Sequence, residues 1–369
     1  CFLPDADPRQ QSFNAEYAAA MQRRWQVQAA GTPSFQRRRS CNTGCFDAEE
    51  DEAGDGDARM SDPALPLFTR PLPPPAAEWR QVDGASLLRF FRQPCRFLLG
   101  QRLQIALHAA DEPLQDDEPF LADHPGQQAL IRRLLPLLLA GATEEEARTL
   151  ALAGNELPGG AFGEQLIVNE VANLHAFAAE LRPLLAQPRQ PLPPLQLSFS
   201  IDGEAWQLNG ALNDVRTDGL RRYRYAKAHA GDYLAGWIEH LLLCASAPVG
   251  VETLTTWHAR DGHYRLRPCA ADAARQHLGE LLTLYRAGLC QPLPFFPKSA
   301  WAYVNAEDNA LAAAQRAWRN TRHFTWGEES DPAYQLAWRG VADPLDERFV
   351  DCALRVFTPL LAHLEEVRR

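Results

Sequence analysis

Between residues 163 and 267 the spacing of apolar side chains switches repeatedly between the helical and the extended period, and this restricts the fold more than any other feature of the chain. Leu166, Ile167, Val171, Leu174, Phe177 and Leu181 share one side of a helix over 163–185. Leu195, Leu197, Phe199 and Ile201 then alternate strictly, as one buried face of a strand does. Asp202-Gly203 is a hairpin turn signal, and Trp206, Leu208 and Leu212 continue on a return strand. In a third strand, Leu220, Arg222 and Arg224 alternate with Arg221, Tyr223 and Tyr225. Tyr233, Leu234, Trp237, Ile238 and Leu241 recur at helical spacing. Residues 251–257 read as a fourth strand, which Asp261-Gly262 turns into a fifth over 264–267. The order of helix, three strands, helix and strand predicts an α/β (α+β) domain.

The flanks are helical or irregular. Leu87, Leu88, Phe91, Phe97 and Leu98 make an apolar face that Pro94 breaks or restarts. A second helical stretch covers 128–139, and Thr143 with Glu146 forms a capping box that opens a third. Gly159 and Gly160 are expected to close that part. Residues 1–81 hold aromatic anchors (Phe13, Tyr17, Trp25), a basic patch over 37–39, an acidic run over 47–57 and a proline-rich stretch over 63–75. Acidity solvates such a segment and proline stiffens it, so it reads as a partly disordered tail and linker. Downstream, helices are predicted over 272–286 and 309–320. A last one starts at Asp343-Pro344 and buries Phe349, Cys352, Val356, Phe357 and Leu360. The expected division is therefore 1–81, a helical segment over 82–160, and an α/β domain with terminal helices over 161–369.

Composition narrows the function. The net charge of −10 argues against a whole-domain electrostatic grip on nucleic acid. A local stripe remains, in Arg221, Arg222, Arg224 and Lys227. It is either a DNA contact with Tyr223 or Tyr225 stacking on bases, or a solvated basic face, or an interface with an acidic partner. The eight cysteines are scattered, and Cys41 and Cys45 have no histidine nearby to complete a zinc site. Cys95, Cys244, Cys269 and Cys290 lack the tight grouping of an iron–sulfur site and read as buried free thiols. His229, His240, His258 and His263 match no ligand spacing, and His240 in its apolar helix reads as a hydrogen-bonded core histidine. The sequence therefore implies no metal and no cofactor. It contains no Gly-x-x-x-x-Gly-Lys-Ser/Thr loop to cradle ATP phosphates. With no signal peptide and no long apolar run, the expectation is a soluble cytoplasmic protein without a membrane partner. A chain that opens at Cys1 reads as a piece of a longer protein. Trp301, Tyr303, Trp318, Phe324, Trp326, Tyr334 and Trp338 suit either an interface or the packing of terminal helices.

The succession of elements matches the αβββαβ core of the PD-(D/E)XK nucleases. Those enzymes place an aspartate on the second strand and an acid, one residue and a lysine on the third, because Mg²⁺ takes hard oxygen ligands and the lysine offsets developing charge. The equivalent of their Gly-x-Ile-Asp pattern is Gly210-Ala211-Leu212-Asn213, which puts the neutral Asn213 at the aspartate position. Asp214 would point to the opposite strand face. On the third strand Lys227 is present, but Tyr225 stands where the acid belongs, and no carboxylate occurs between Asp218 and Asp232. The metal site is expected to be absent. The alternative is an active Mg²⁺-dependent nuclease with a migrated site built on Asp202, Asp214 and Lys227.

Several segments are similar to the RecC family. Residues 87–98 read Leu-Leu-Arg-Phe-Phe-Arg-Gln-Pro-Cys-Arg-Phe-Leu and run into Arg102-Leu103. Asp117-Glu118-Pro119-Phe120 follows, then Leu157-Pro158-Gly159-Gly160-Ala161-Phe162-Gly163. The most specific is Trp237-Ile238-Glu239-His240-Leu241-Leu242-Leu243-Cys244-Ala245. The resemblance covers about 82–365. It implies the C-terminal part of the gamma subunit of exodeoxyribonuclease V, with an inactivated nuclease-like fold preceded by the end of a helicase-like domain. It also implies a scaffold that joins RecB-like and RecD-like subunits in a heterotrimer and guides the duplex end and unwound strands, while the ATPase and nuclease sites lie in those partners. A stand-alone adaptor unrelated to DNA is the remaining reading, and the ordered core argues against it.

Overall fold

The computed structural model describes residues 65–107, 124–154, 156–157, 160–320 and 327–367. The anchors and charge runs before residue 65, Cys41 and Cys45, the 117–120 motif, Pro158, Gly159, Phe324 and Trp326 lie outside the described residues. All described residues belong to one compact unit, Ser61–Arg369.

Strand β1 (Gln81–Asp83) passes directly into α1 (Gly84–Arg92), because the Asp83 carboxylate accepts the N–H groups of Ala85 and Ser86 at 3.1 and 3.2 Å. Leu87, Phe90 and Phe91 are its buried face. Pro94 restarts the chain as the first residue of α2 (Pro94–Phe97), as the sequence predicts. Helix α3 (His124–Leu139) is followed by α4 (Glu144–Leu152), opened by the expected capping box: Thr143 Oγ1 accepts the Glu146 N–H, and Glu146 Oε2 accepts the Thr143 N–H at 2.8 Å. Gly160 opens α5 (Gly160–Leu185) instead of closing the preceding part. Leu130, Leu134, Leu138, Ala147, Val171 and Leu174 make a core shared by these three helices.

The hairpin forms as the sequence dictates. Strand β2 (Leu195–Ile201) pairs antiparallel with β3 (Glu204–Gly210), placing Leu197 opposite Leu208 and Phe199 opposite Trp206. Asp202 and Gly203 between them have φ of 50° and 77°, the left-handed pair such a tight turn needs. β1 pairs parallel with β3, giving a three-stranded sheet of order β1-β3-β2. A second sheet contains β4 (Val215–Arg216), β5 (Gly219–Arg224), β6 (Thr255–Ala259), β7 (His263–Leu266) and β8 (Leu364–Val367), in that order. β5 and β6 run parallel, and α6 (Ala230–Ser246) is the crossover between them. The helices α7 (Ala271–Cys290), α8 (Pro297–Val304), α9 (Ala310–Trp318), α10 (Pro332–Ala337) and α11 (Glu347–His363) follow, and β8 leaves the end of α11.

The α+β class is as expected, but hydrogen bonding divides the αβββαβ succession between two sheets, with β2 and β3 in one and β5 and β6 in the other. Smaller departures have local causes. β6 starts at Thr255, where its ladder with β5 begins opposite Leu220, while the Glu252 N–H before it is taken by the Thr217 carbonyl. The last helix starts after Asp346, whose carboxylate accepts the Arg348 and Phe349 N–H groups, while Asp343 caps only the turn before it at Leu345. The main core centres on α6, where Trp237, Leu241, Leu243 and Cys244 are almost fully buried. Phe296 gathers Trp318, Tyr334, Trp338 and Phe349 within 6 Å, and Trp301 stacks on Tyr233 at 4.0 Å. The described terminal aromatics thus pack the molecule's own helices. Among the described residues no helix is long and apolar enough to cross a membrane.

Candidate nucleic-acid interface

Strand β5 carries the predicted basic stripe, and its alternation sends the stripe to two faces. Arg222 and Arg224 point at α6. Arg222 pairs with Glu239, and Arg224 Nη1 lies 2.7 Å from Asp232 Oδ1 and 3.1 Å from His229 Nε2. Arg221, on the other face, pairs with Asp218 and donates to Thr256 Oγ1 at 2.6 Å. Arg92 of α1 joins the α6 side. Burial holds its guanidinium below the ordinary value, Asp232 and Glu239 oppose that, and Arg222 and Arg224 add to it. Three arginines are therefore set against two carboxylates. His229 stands beside them, its pKa lowered by burial first and by Arg224 and Arg92, against the pull of Asp232. Arg224 and Lys227 are exposed, and Arg221 and Arg222 are half-buried. Lys227 has no ion-pair partner among the described residues.

Tyr225 has a different role from base stacking. It is buried, meets Phe177 edge-on at 5.2 Å, and carries the Arg260 guanidinium 5.7 Å from its ring centre. Burial pushes its phenol up to about 12. The option that Tyr225 stacks on a base is thereby corrected: the residue is buried, with Arg260 over its ring and Phe177 packed against it. Tyr223, two residues earlier on the same face, stays half-buried.

None of the degenerate nuclease positions lies on a strand: Asn213 follows β3, and Tyr225 and Lys227 follow β5. β3 ends at Gly210, so Asn213 sits exposed in the connection and not on a strand. The expectation that Asp214 points to the opposite strand face also fails. Asp214 adopts a left-handed φ of 60° in a bend, and its carboxylate lies 2.5 Å from Arg189. Asp202 is in the β2–β3 turn and pairs with Arg286. Asp202 precedes β3, Asp214 follows it, and each is engaged by its own arginine. No group of three or more His, Cys, Asp or Glu among the described residues is placed to hold a metal ion.

The histidines have structural partners. His240 Nε2 lies 2.9 Å from the Arg267 carbonyl oxygen, which can only accept, so Nε2 carries the proton and Nδ1 accepts from the Thr255 hydroxyl at 3.0 Å. Burial lowers its pKa to about 4. The rings of His258 and His263 meet at a tilt of 59° with centres 4.5 Å apart, and burial, His263 and Arg221 bring His258 to about 4. The five described cysteines are free, and burial pushes the thiols of Cys95 and Cys352 up to about 12. The sequence reading missed the two carboxylates that neutralise β5. A signal for them existed: Asp232 and Glu239 are seven residues apart and so share a helix face, just as Arg222 and Arg224 share a strand face.

Residues 79–308 match the RecC C-terminal domain family. Over 307 residues the chain is 28% identical to the RecBCD enzyme subunit RecC of Escherichia coli (strain K12), covering 79% of this chain and 26% of that protein. It is 27% identical over 282 residues to the RecBCD enzyme subunit RecC of Mycolicibacterium smegmatis, with coverages of 74% and 25%. For the same subunit of Buchnera aphidicola subsp. Schizaphis graminum the identity is 22% over 301 residues, with coverages of 77% and 27%. The chain thus spans about a quarter of the length of these relatives. The matched residues include β1 through β7, the β5 charge network and the buried 237–245 motif, and the chain belongs to the RecC C-terminal domain family.

Proposed function

We propose that this chain is a non-catalytic scaffold and DNA-guiding part of a RecBCD-type helicase–nuclease, a cytoplasmic assembly acting in double-strand-break repair and homologous recombination. Its partners are RecB-like and RecD-like subunits, which carry the ATPase and nuclease sites, and the duplex end with its unwound strands. The observation that carries this reading is Tyr225. The residue standing where a nuclease needs its acid is packed against Phe177, and the carboxylates nearest β5 are already paired with arginines. Mg²⁺ would meet cations and a phenol there instead of oxygen anions. Guidance of DNA falls to the exposed part of the stripe, Arg224 and Lys227, with Arg221 and Arg222 holding the strand in place.

Co-expression with the RecB-like and RecD-like subunits of the same source, followed by size-exclusion chromatography, tests the scaffold. Co-elution in a defined stoichiometry is expected, and elution of the chain by itself counts against it. A Mg²⁺-dependent cleavage assay on the lone chain should give no product. Cleavage that Lys227→Ala abolishes would establish the migrated nuclease site and overturn the proposal. In the assembled enzyme, Lys227→Glu should weaken forked-DNA binding and flatten its salt dependence by about one unit of log–log slope, as for one lost phosphate contact. Unchanged affinity at low salt removes the DNA-guiding role from this strand.

A further inference from the structure

Among the described residues the edge of β5 is covered only in part. Its neighbour on that side is β4, two residues long, which pairs Val215 with Leu220 and Arg216 with Gly219. On its other side β5 pairs with β6 from Leu220 to Arg224. The Leu220 N–H donates to the Leu254 carbonyl at 2.8 Å on the β6 side, and the Arg221 N–H donates to Asp214 on the β4 side. By strand alternation the N–H and C=O of Tyr223 also point away from β6, and beyond β4 they meet no backbone partner among the described residues. An edge position of this kind can pair with another strand, which proteins normally blunt or cover.

Beside this edge runs a groove of about 850 Å³ between α3 and β5. Ile131, Leu135 and Leu139 form its wall on α3, and Tyr223 lies on the β5 side. Arg132 and Arg224 also line it, and no carboxylate does. Arg132 is exposed and has no ion-pair partner among the described residues. We infer that the open edge of β5 and the groove beside α3 receive an extended segment of a partner polypeptide in which apolar side chains alternate with acidic ones. Side chains pointing as Tyr223 does would meet the aliphatic wall of α3. Those pointing as Arg224 does would face α6, where Arg92, Arg222 and Arg224 outnumber Asp232 and Glu239.

A single nucleic-acid strand fits less well. It offers no donor–acceptor row at strand spacing to pair with Tyr223. Its phosphates would find two arginines beside an aliphatic wall, and Tyr225 is closed to stacking. The inference rests on the scaffold reading, since the segment belongs to a subunit of the assembly.

The test uses the full chain assembled with its RecB-like and RecD-like subunits. Backbone hydrogen exchange over 219–226 should show the Tyr223 amide slowed at least about tenfold on assembly, as one new ladder bond requires. A photo-crosslinking amino acid at Ala129, exposed on the groove rim, should capture a subunit peptide of alternating apolar and acidic residues. Arg132→Glu should weaken assembly about tenfold and Arg132→Lys should leave it intact, as a charge-complementary rim contact does. Assembly with unchanged exchange at Tyr223, or capture of a peptide without that alternation, overturns this inference and leaves the scaffold reading standing. Failure to assemble overturns both. Protection of Tyr223 by a single-stranded oligonucleotide without the subunits assigns the groove to nucleic acid and overturns the polypeptide.

Discussion

At position 225 a phenol and a carboxylate would have opposite consequences, and the difference is one of solvation. Tyr225 contributes an aromatic ring to the core of α3, α4 and α5, where an ionised carboxyl would be stripped of water. Tyr225→Glu, the change that would restore the nuclease pattern, is therefore expected to cost more than about 3 kcal/mol of stability and to create no Mg²⁺-dependent cleavage. Tyr225→Phe, which keeps the ring, should cost about 1 kcal/mol, and urea denaturation of the two variants distinguishes them. His240 and His258 give the chain a pH dependence of definite sign. Both are held neutral, near a pKa of about 4, while the unfolded chain titrates near the ordinary 6.5. Their contribution is complete above pH 6.5 and is lost as pH falls from 6.5 towards 4, by about 3 kcal/mol for each histidine. Thermal melts at pH 7.5 and 5.0 should show the loss, and His240→Gln should reduce it. An equal loss in the variant would mean that carboxylates alone set the acid limb. The structural role of His240 was legible from its place in an apolar helix. The pairing of the β5 arginines was legible only by halves: the shared faces of Arg222 with Arg224 and of Asp232 with Glu239 follow from spacing, but that the two faces meet does not, because a turn that local spacing does not orient lies between them.

Gly219 shows how much one backbone position fixes about an element. Its φ is +113°, and a Cβ there would stand 2.1 Å from the Leu254 carbonyl oxygen, the acceptor for the Leu220 N–H. The chain turns from β4 into β5 at this residue, so β5 meets β6 in register only if the turn has no side chain. Gly219→Ala should cost about 1–3 kcal/mol in backbone strain, and more once the Leu254 carbonyl is displaced. A melting temperature within a degree of the parent would show that the β4–β5 turn can relax. Periodicity revealed the long elements well: α5, the β2–β3 hairpin, α6 and α7 all lie where apolar spacing puts them. It could not reveal β4, since two residues hold no period, nor the division into two sheets. Which strands share a ladder depends on hydrogen bonds between distant segments. The start of the last helix was misplaced for a related reason: Asp343 and Asp346 are equally good caps in sequence, and only the packing of Phe349 selects the second.

On the scale of the molecule, two hydrophobic cores meet at β5. One, centred on α6, draws on both sheets and the terminal helices. The other belongs to α3, α4 and α5, and it is reached by Tyr225, just past the end of β5, and at its margin by Tyr223. Such a narrow junction lets one core open without the other, because few apolar contacts are lost when it parts. Phe177 is the place to test this, since it lies in the smaller core and touches Tyr225 directly. Phe177→Ala should cost about 3–5 kcal/mol in that core. Hydrogen exchange should then quicken over 124–185 while the buried 237–245 motif keeps its protection. A uniform rise across both regions would mean that the two cores unfold as one, and β5 would be a strand inside a single cooperative body. A selective rise would make β5 a hinge line between two layers that open independently.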